Sequence, residues 1–227
     1  MKWIKILFII VLTICITGCG KNYTINKKDN KEVPNYERQV LNSTVNITTS
    51  SRDFGAGFIY DKSYIITNYH VVYQDNNVIK VTTYNKEVYN ASLVGYEVNS
   101  DIAVLKIDKE LESIELGDSD KVRVGDIVTA IGNPDGDLSF SEASGKVLEV
   151  DIELLDQIDK DRKYIWYDGN AISGYSGGPV YNQEGKVIGI LNARYTGDLS
   201  SYEFDNLCGI IPINKVKTVI QKLLANH

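Results

Sequence analysis

Two β units of similar size followed by one α-helix form the architecture expected of this all-β chain, on three observations. Fifteen Tyr, eighteen Gly and many Val, Ile and Thr favour strand, because aromatic and β-branched side chains suit a pleated, half-buried surface. Short β-like runs bounded by turn residues recur in two series. The last apolar residues fall at helical spacing. A composition of 43% apolar and 24% charged residues over 227 positions is ordinary for a globular protein, long enough for one large or two small cores.

The N-terminus reads as a targeting segment over residues 1–18. Lys2 and Lys5 supply its positive charge, and the apolar run Ile6 to Ile16 is too short for a membrane span, which needs about 20 residues. Ile16-Thr17-Gly18-Cys19 resembles the bacterial lipobox, which implies cleavage before Cys19 and lipid on its thiol. Residues 19–38, rich in Lys, Asn, Asp and Glu, are expected to be a solvated tether. With Cys15 removed and Cys19 lipidated, Cys208 has no partner for an intrachain disulfide. Its apolar neighbours Leu207, Ile210 and Ile211 predict a buried structural thiol. Loss of Lys2 and Lys5 takes the 24 basic residues to 22 against 30 acidic ones, a charge near −8, which argues against a nucleic-acid partner.

The remainder, residues 39–227, divides in order. Val45–Thr49, Gly57–Tyr60, Tyr64–Asn68, Val78–Tyr84, Ala91–Tyr96 and Ala103–Ile107 read as strands separated by turns such as Asp61-Lys62, and suggest a small barrel over about 39–110. Asp126–Ile131, Phe140–Val150, Tyr164–Asp168, Pro179–Asn182, Lys186–Asn192 and Gly209–Ile213 form the second unit, about 115–213. Asp151 to Lys163, with mixed charges, reads as a solvated loop. Val216, Val219, Ile220, Leu223 and Leu224 make one helical stripe within about 214–225, expected to clamp the second unit with Lys215, Lys217 and Lys222 outward.

Three segments carry chemistry. Ser176 lies in Gly174-Tyr-Ser-Gly-Gly-Pro179, His70 in Thr67-Asn-Tyr-His70, and Asp101 at the start of the run Asp101-Ile-Ala-Val-Leu. A serine hydroxyl becomes a useful nucleophile only when an imidazole takes its proton and a carboxylate holds that imidazole. The chain has two histidines, and the other, His227, is the final residue. Glycines around Ser176 let backbone N–H groups approach a reacting oxygen, and Gly174 and Ser176 are the expected donors. Two other segments are set aside. Gly117-Asp-Ser-Asp120 lacks the following glycines of a hydrolase motif, and Asn133-Pro-Asp-Gly-Asp137 has Leu138 where a calcium loop needs Gly.

Together with Gly55-Ala-Gly-Phe-Ile, Leu116-Gly-Asp-Ser-Asp, Ala130-Ile-Gly-Asn-Pro and Gly185-Lys-Val-Ile-Gly-Ile, these segments resemble the trypsin-like protease domain of bacterial HtrA (DegP-like) serine proteases over roughly residues 40 to 225. The resemblance implies a trypsin-like double β-barrel with His70 and Asp101 from the first barrel and Ser176 from the second. It also implies a polypeptide substrate and no cofactor or metal.

The sequence departs from the family in three places. The chain ends after the helix, so no peptide-binding PDZ module is expected. Tyr175 stands where HtrA proteins usually have Asn and digestive enzymes have Asp, so activation by ion pairing with a freed amino terminus is not expected. Asn170, six residues before Ser176, is uncharged at the expected base of the specificity pocket, and Leu191 stands where glutamyl endopeptidases carry His. With Asn192 these residues are the expected substrate-binding set. Arg194 nearby reads as a solvated arginine, and a small or medium aliphatic residue is expected before the scissile bond.

The expected function is a lipid-anchored extracytoplasmic serine endopeptidase acting on unfolded or exported proteins. The alternative is a surface binding or chaperone-like module on the same fold. Trimers are usual in the family, but the contacts that build them fall in the tether region here, so no oligomeric state is assigned.

Overall fold

Neighbouring strand residues point to opposite faces, so pairs such as Ile65-Ile66 and Ala103-Val104 need apolar cover on both sides. The computed structural model, which describes residues 35–73, 78–137, 139–153, 163–194 and 206–225, supplies it with two closed barrels. Ile65, Ala103 and Leu105 fill the first barrel, while Ile66, Val104 and Ile102 face outward into a second core. The same division separates Ile165 from Trp166 and Ile210 from Ile211 in the second barrel.

Barrel 1 comprises β1 (Thr44–Thr49), β2 (Phe54–Asp61), β3 (Tyr64–Asn68), β4 (Ile79–Thr83), β5 (Val88–Glu97) and β6 (Ile102–Ile107), paired in the order β1-β2-β3-β6-β5-β4. Barrel 2 comprises β7 (Ile127–Gly132), β8 (Ser141–Glu153), β9 (Lys163–Tyr167), β10 (Pro179–Asn182), β11 (Val187–Arg194) and β12 (Cys208–Pro212), ordered β10-β11-β12-β9-β8-β7. All these strand pairs are antiparallel, and closure leaves neither sheet with a free edge. Every strand expected from the sequence is present with small shifts of its ends. The fold is the trypsin-like double barrel.

Among the described residues, three α-helices accompany the barrels: α1 (Asn35–Asn42), α2 (Tyr69–Val72) and α3 (Ile213–Leu224). Helix α1 begins inside the stretch expected as tether to residue 38, so the last four residues of that stretch are helical rather than a solvated linker. Its Val40 is buried, Tyr36 packs over Gly185, and Thr44 Oγ1 closes the helix end on the Val40 carbonyl at 2.7 Å.

Helix α3 is not confined to the second barrel as expected. Its buried Val216, Val219 and Ile220 share one core with Ile102 and Val104 of barrel 1 and with Ile190 and Ile211 of barrel 2, and Leu223 lies against Gly95 of β5. Lys217 does not point outward either, because its ammonium donates to the Gly117 carbonyl at 2.6 Å, in the segment between the barrels. Gly117-Asp-Ser-Asp120 leads into a 3₁₀ turn at Ser119–Lys121, capped by the Asp118 side chain.

Candidate active site

The end of β3 delivers His70 to Asp101 by consecutive contacts. Asn68 Nδ2 donates to the Asp101 carbonyl at 2.9 Å and the Tyr69 N–H to the same oxygen at 3.1 Å. The His70 N–H donates to Asp101 Oδ1 at 2.8 Å, and His70 Nδ1 lies 2.6 Å from Asp101 Oδ2. An ionised carboxylate only accepts, so Nδ1 carries the proton and Nε2 is the remaining acceptor. The His70 side chain is 48% exposed and that of Asp101 13%. Asp101 has φ +54°, an uncommon conformation for a residue with a side chain. The turn before it is organised by Glu97, whose carboxylate accepts from the N–H groups of Asn99 and Ser100 and from the Ser100 hydroxyl.

Asp101 also has a partner from the other barrel. Asn192 Nδ2 donates to Asp101 Oδ2 at 2.6 Å, and Asn192 Oδ1 accepts from the hydroxyl of buried Tyr164 at 2.8 Å. The carboxamide of Asn192, expected to serve substrate, is engaged on the carboxylate instead. Sequence reasoning missed this role and missed Tyr164 altogether. The available signal was a single polar residue closing the apolar run Val187-Ile-Gly-Ile-Leu191.

Ser176 is brought to the pair through backbone rather than by a hydrogen bond from its hydroxyl to the imidazole. The Ala56 N–H of β2 donates to the Ser176 carbonyl at 2.9 Å, and Thr67 Oγ1, three residues before His70, donates to the Ala56 carbonyl at 2.7 Å. Gly177, at φ +82°, packs so tightly here that a Cβ would sit 2.2 Å from Thr67 Oγ1 and 2.3 Å from the Ala56 carbonyl oxygen. On the barrel 2 side, Gly177 N–H donates to Leu191 O at 2.9 Å and Leu191 N–H to Gly178 O at 3.0 Å.

The residues before Ser176 form a type II turn. Tyr175 N–H donates to Ile172 O at 3.2 Å, with Gly174 at φ +94° in the position that favours glycine. Neither the Gly174 nor the Ser176 N–H donates to an acceptor among the described residues. Tyr175 is buried, and burial raises its phenol above the ordinary value, with the nearby Ser141 hydroxyl opposing the rise and Glu142 adding to it.

The expected pocket residues separate. Asn170 is exposed, Ala171 beside it is buried, and Leu191 turns into the barrel 2 core. Cys208 is a buried thiol, as expected, donating to the Gly169 carbonyl at 3.2 Å. An aromatic flank not foreseen adjoins His70: Tyr69 stacks on Tyr96 with centroids 4.2 Å apart, and Tyr73 meets Tyr69 edge-on. Cys19 and the Arg194 side chain lie outside the described residues.

Comparison with known proteins bears on the fold and the family. The family described as Trypsin-like peptidase domain matches residues 55–190. A "Probable periplasmic serine endoprotease DegP-like" of Rickettsia conorii is 34% identical over 222 residues, spanning 88% of this chain and 42% of the relative. A "Serine protease HtrA-like" of Staphylococcus aureus is 32% identical, spanning 77% of this chain and 24% of the relative. The chain thus spans less than half the length of these curated relatives. Among solved structures, "HtrA-type protease AlgW with decapeptide" superposes with a TM-score of 0.72 at 25% identity, covering 84% of this chain and 67% of that one. On fold and sequence together, the chain belongs to the trypsin-like peptidase domain family.

Proposed function

We propose that this protein is an HtrA-like serine endopeptidase working outside the cytoplasm, held to the membrane by lipid on Cys19. The observation that carries the reading is the 2.6 Å contact between His70 Nδ1 and Asp101 Oδ2, beside a serine loop whose two N–H groups have no internal acceptor among the described residues. Ser176 Oγ attacks the peptide carbonyl, forming a C–O bond while its proton passes to His70 Nε2. The tetrahedral oxyanion is bound by the N–H groups of Gly174 and Ser176. Collapse breaks the C–N bond, and His70 returns the proton to the leaving amine. Water, deprotonated by the same imidazole, then releases the acid and regenerates Ser176. Asp101 holds the imidazole in the required tautomer throughout. Hydrogen bonds of unliganded sites tighten when substrate binds, which supplies the Ser176-to-His70 contact.

Polypeptide substrates are supported by the names of the relatives and by the decapeptide in the AlgW structure. An extracytoplasmic site fits the periplasmic relative and the Cys19 motif. Unfolded exported proteins are the proposed targets.

The test is intact mass after treating the purified protein and its Ser176→Ala variant with a fluorophosphonate. One adduct on the parent and none on the variant is expected. A folded parent that takes no adduct points instead to a binding module. Replacing Cys19 with Ala is expected to move the protein from the membrane fraction to the soluble fraction, and retention in the membrane would remove the lipid anchor from the proposal.

A further inference from the structure

We propose that Tyr175 is a positioning residue that presets the oxyanion turn, so that the nucleophile is competent without an activating ligand or cut. This rests on the protease reading above. The turn from Ile172 to Tyr175 has two forms of similar shape, type I and type II, which differ by rotation of the Ser173–Gly174 peptide through about 180°. That rotation reverses the Gly174 N–H, one of the two donors on which oxyanion binding depends. In a type I turn, Gly174 would have φ near −90°. The observed +94° places it in the other form.

What holds it there is the residue between the two donors. Tyr175 packs directly against Gly132, the last residue of β7. A Cβ at Gly132 would fall 2.3 Å from Tyr175 Cγ and 2.5 Å from its Cα, so the slot exists only because position 132 is glycine. Ser141 pairs directly with Gly132 across the β7–β8 ladder, which fixes the backbone that floors this slot. The next residue, Asn133, donates its N–H to Gly174 O at 2.9 Å, and its own carbonyl oxygen sits 2.0 Å from where a Cβ on Gly174 would be. Gly132 and Asn133 thus grip Tyr175 and Gly174 together. Rotating the peptide would have to move a buried ring out of its slot or strain the Asn133 contact. A short polar side chain at position 175 would leave that slot empty and the turn free to change form.

The test measures the rate of fluorophosphonate labelling for the parent, Tyr175→Phe and Tyr175→Ala, each with and without a saturating substrate peptide, with thermal unfolding recorded for all three. The parent is expected to label at full rate without peptide. Tyr175→Phe, which keeps the ring, should stay within about threefold, and Tyr175→Ala should label about 100-fold more slowly, the scale of losing one oxyanion donor. Peptide affinity, measured in the Ser176→Ala background, should change little when Tyr175→Ala is added, which a general loss of packing would not produce. A parent whose labelling needs added peptide overturns the preset turn while leaving the protease reading intact. A parent that never labels removes both. Labelling of a folded Tyr175→Ala at the parental rate overturns the role of Tyr175. Should that variant show no cooperative unfolding, Tyr175→Leu, which fills the slot without a planar ring, carries the same comparison.

Discussion

Asn192 Nδ2 on β11 lies 2.6 Å from Asp101 Oδ2, so the carboxylate that orients His70 on barrel 1 is itself held from barrel 2. Tyr164 completes the chain of contacts by donating to Asn192 Oδ1, which fixes the amide with its nitrogen toward the acid. Relative movement of the barrels would thus act on the Asp101 carboxylate directly.

Asn192→Ala is expected to lower kcat at least tenfold with KM within about threefold, because a hydrogen bond to a charged group contributes about 1.5–3 kcal/mol. Tyr164→Phe should cost less. Steady-state kinetics on a peptide substrate separate the two parameters, and a change confined to KM would return Asn192 to direct substrate binding.

Glu97 gives a pH-dependent handle on the turn that holds Asp101. Burial opposes its charge, but hydrogen bonds from the Ser100 side chain and from the Ser100 and Asn99 N–H groups, together with Lys215, outweigh that and hold it below the ordinary glutamate value of 4.5. Since the folded value is the lower one, its stabilisation is present above that ordinary value and is lost as pH falls through the folded value. Glu97→Gln should lower stability by about 1 kcal/mol at neutral pH, a figure reduced for solvent screening, and the gap should close in acid. Denaturant unfolding at both pH values measures it, and a gap independent of pH would contradict the assignment.

Gly177→Ala should destabilise by about 2–4 kcal/mol, because φ +82° and a Cβ 2.2 Å from Thr67 Oγ1 leave it no room. Labelling of Ser176 should fall in the same variant. A stable, fully reactive Gly177→Ala would mean that this contact does not locate the serine.

Ile220→Ala removes a fully buried side chain from the helix that joins both barrels, with an expected cost of about 2–5 kcal/mol. Because that core includes Ile102 and Val104, activity should be lost together with the global unfolding transition. A variant in which barrel 2 alone loosens would restore the helix to its expected role on that barrel.

Much of this molecule follows from local pattern. Strand positions are legible because apolar runs of four to eight residues end at turn signals, and each of these is a property of adjacent residues. Helix α1 was not, since Asn35–Asn42 carries only a few apolar residues among polar ones and resembles in composition the polar sequence before it. The two-barrel contact of α3 was also hidden, because a stripe shows that a helix is amphipathic and not which surface covers it.

The site divides along the same line. His70, Asp101, Ser176 and the flanking glycines stand out as candidates from residue type and order, because proton transfer and close backbone approach permit few alternatives. Asn170, numbered to a pocket base, is exposed, and Asn192, assigned to substrate, reaches a carboxylate 91 positions away. The seating of Tyr175 over Gly132 and the form of the oxyanion turn likewise depend on where β7, β8 and the serine loop come to rest. Periodicity and chemistry are written into neighbouring residues, whereas contacts between distant segments are chosen only when both barrels close, since closure determines which polar groups lose water together and must satisfy one another.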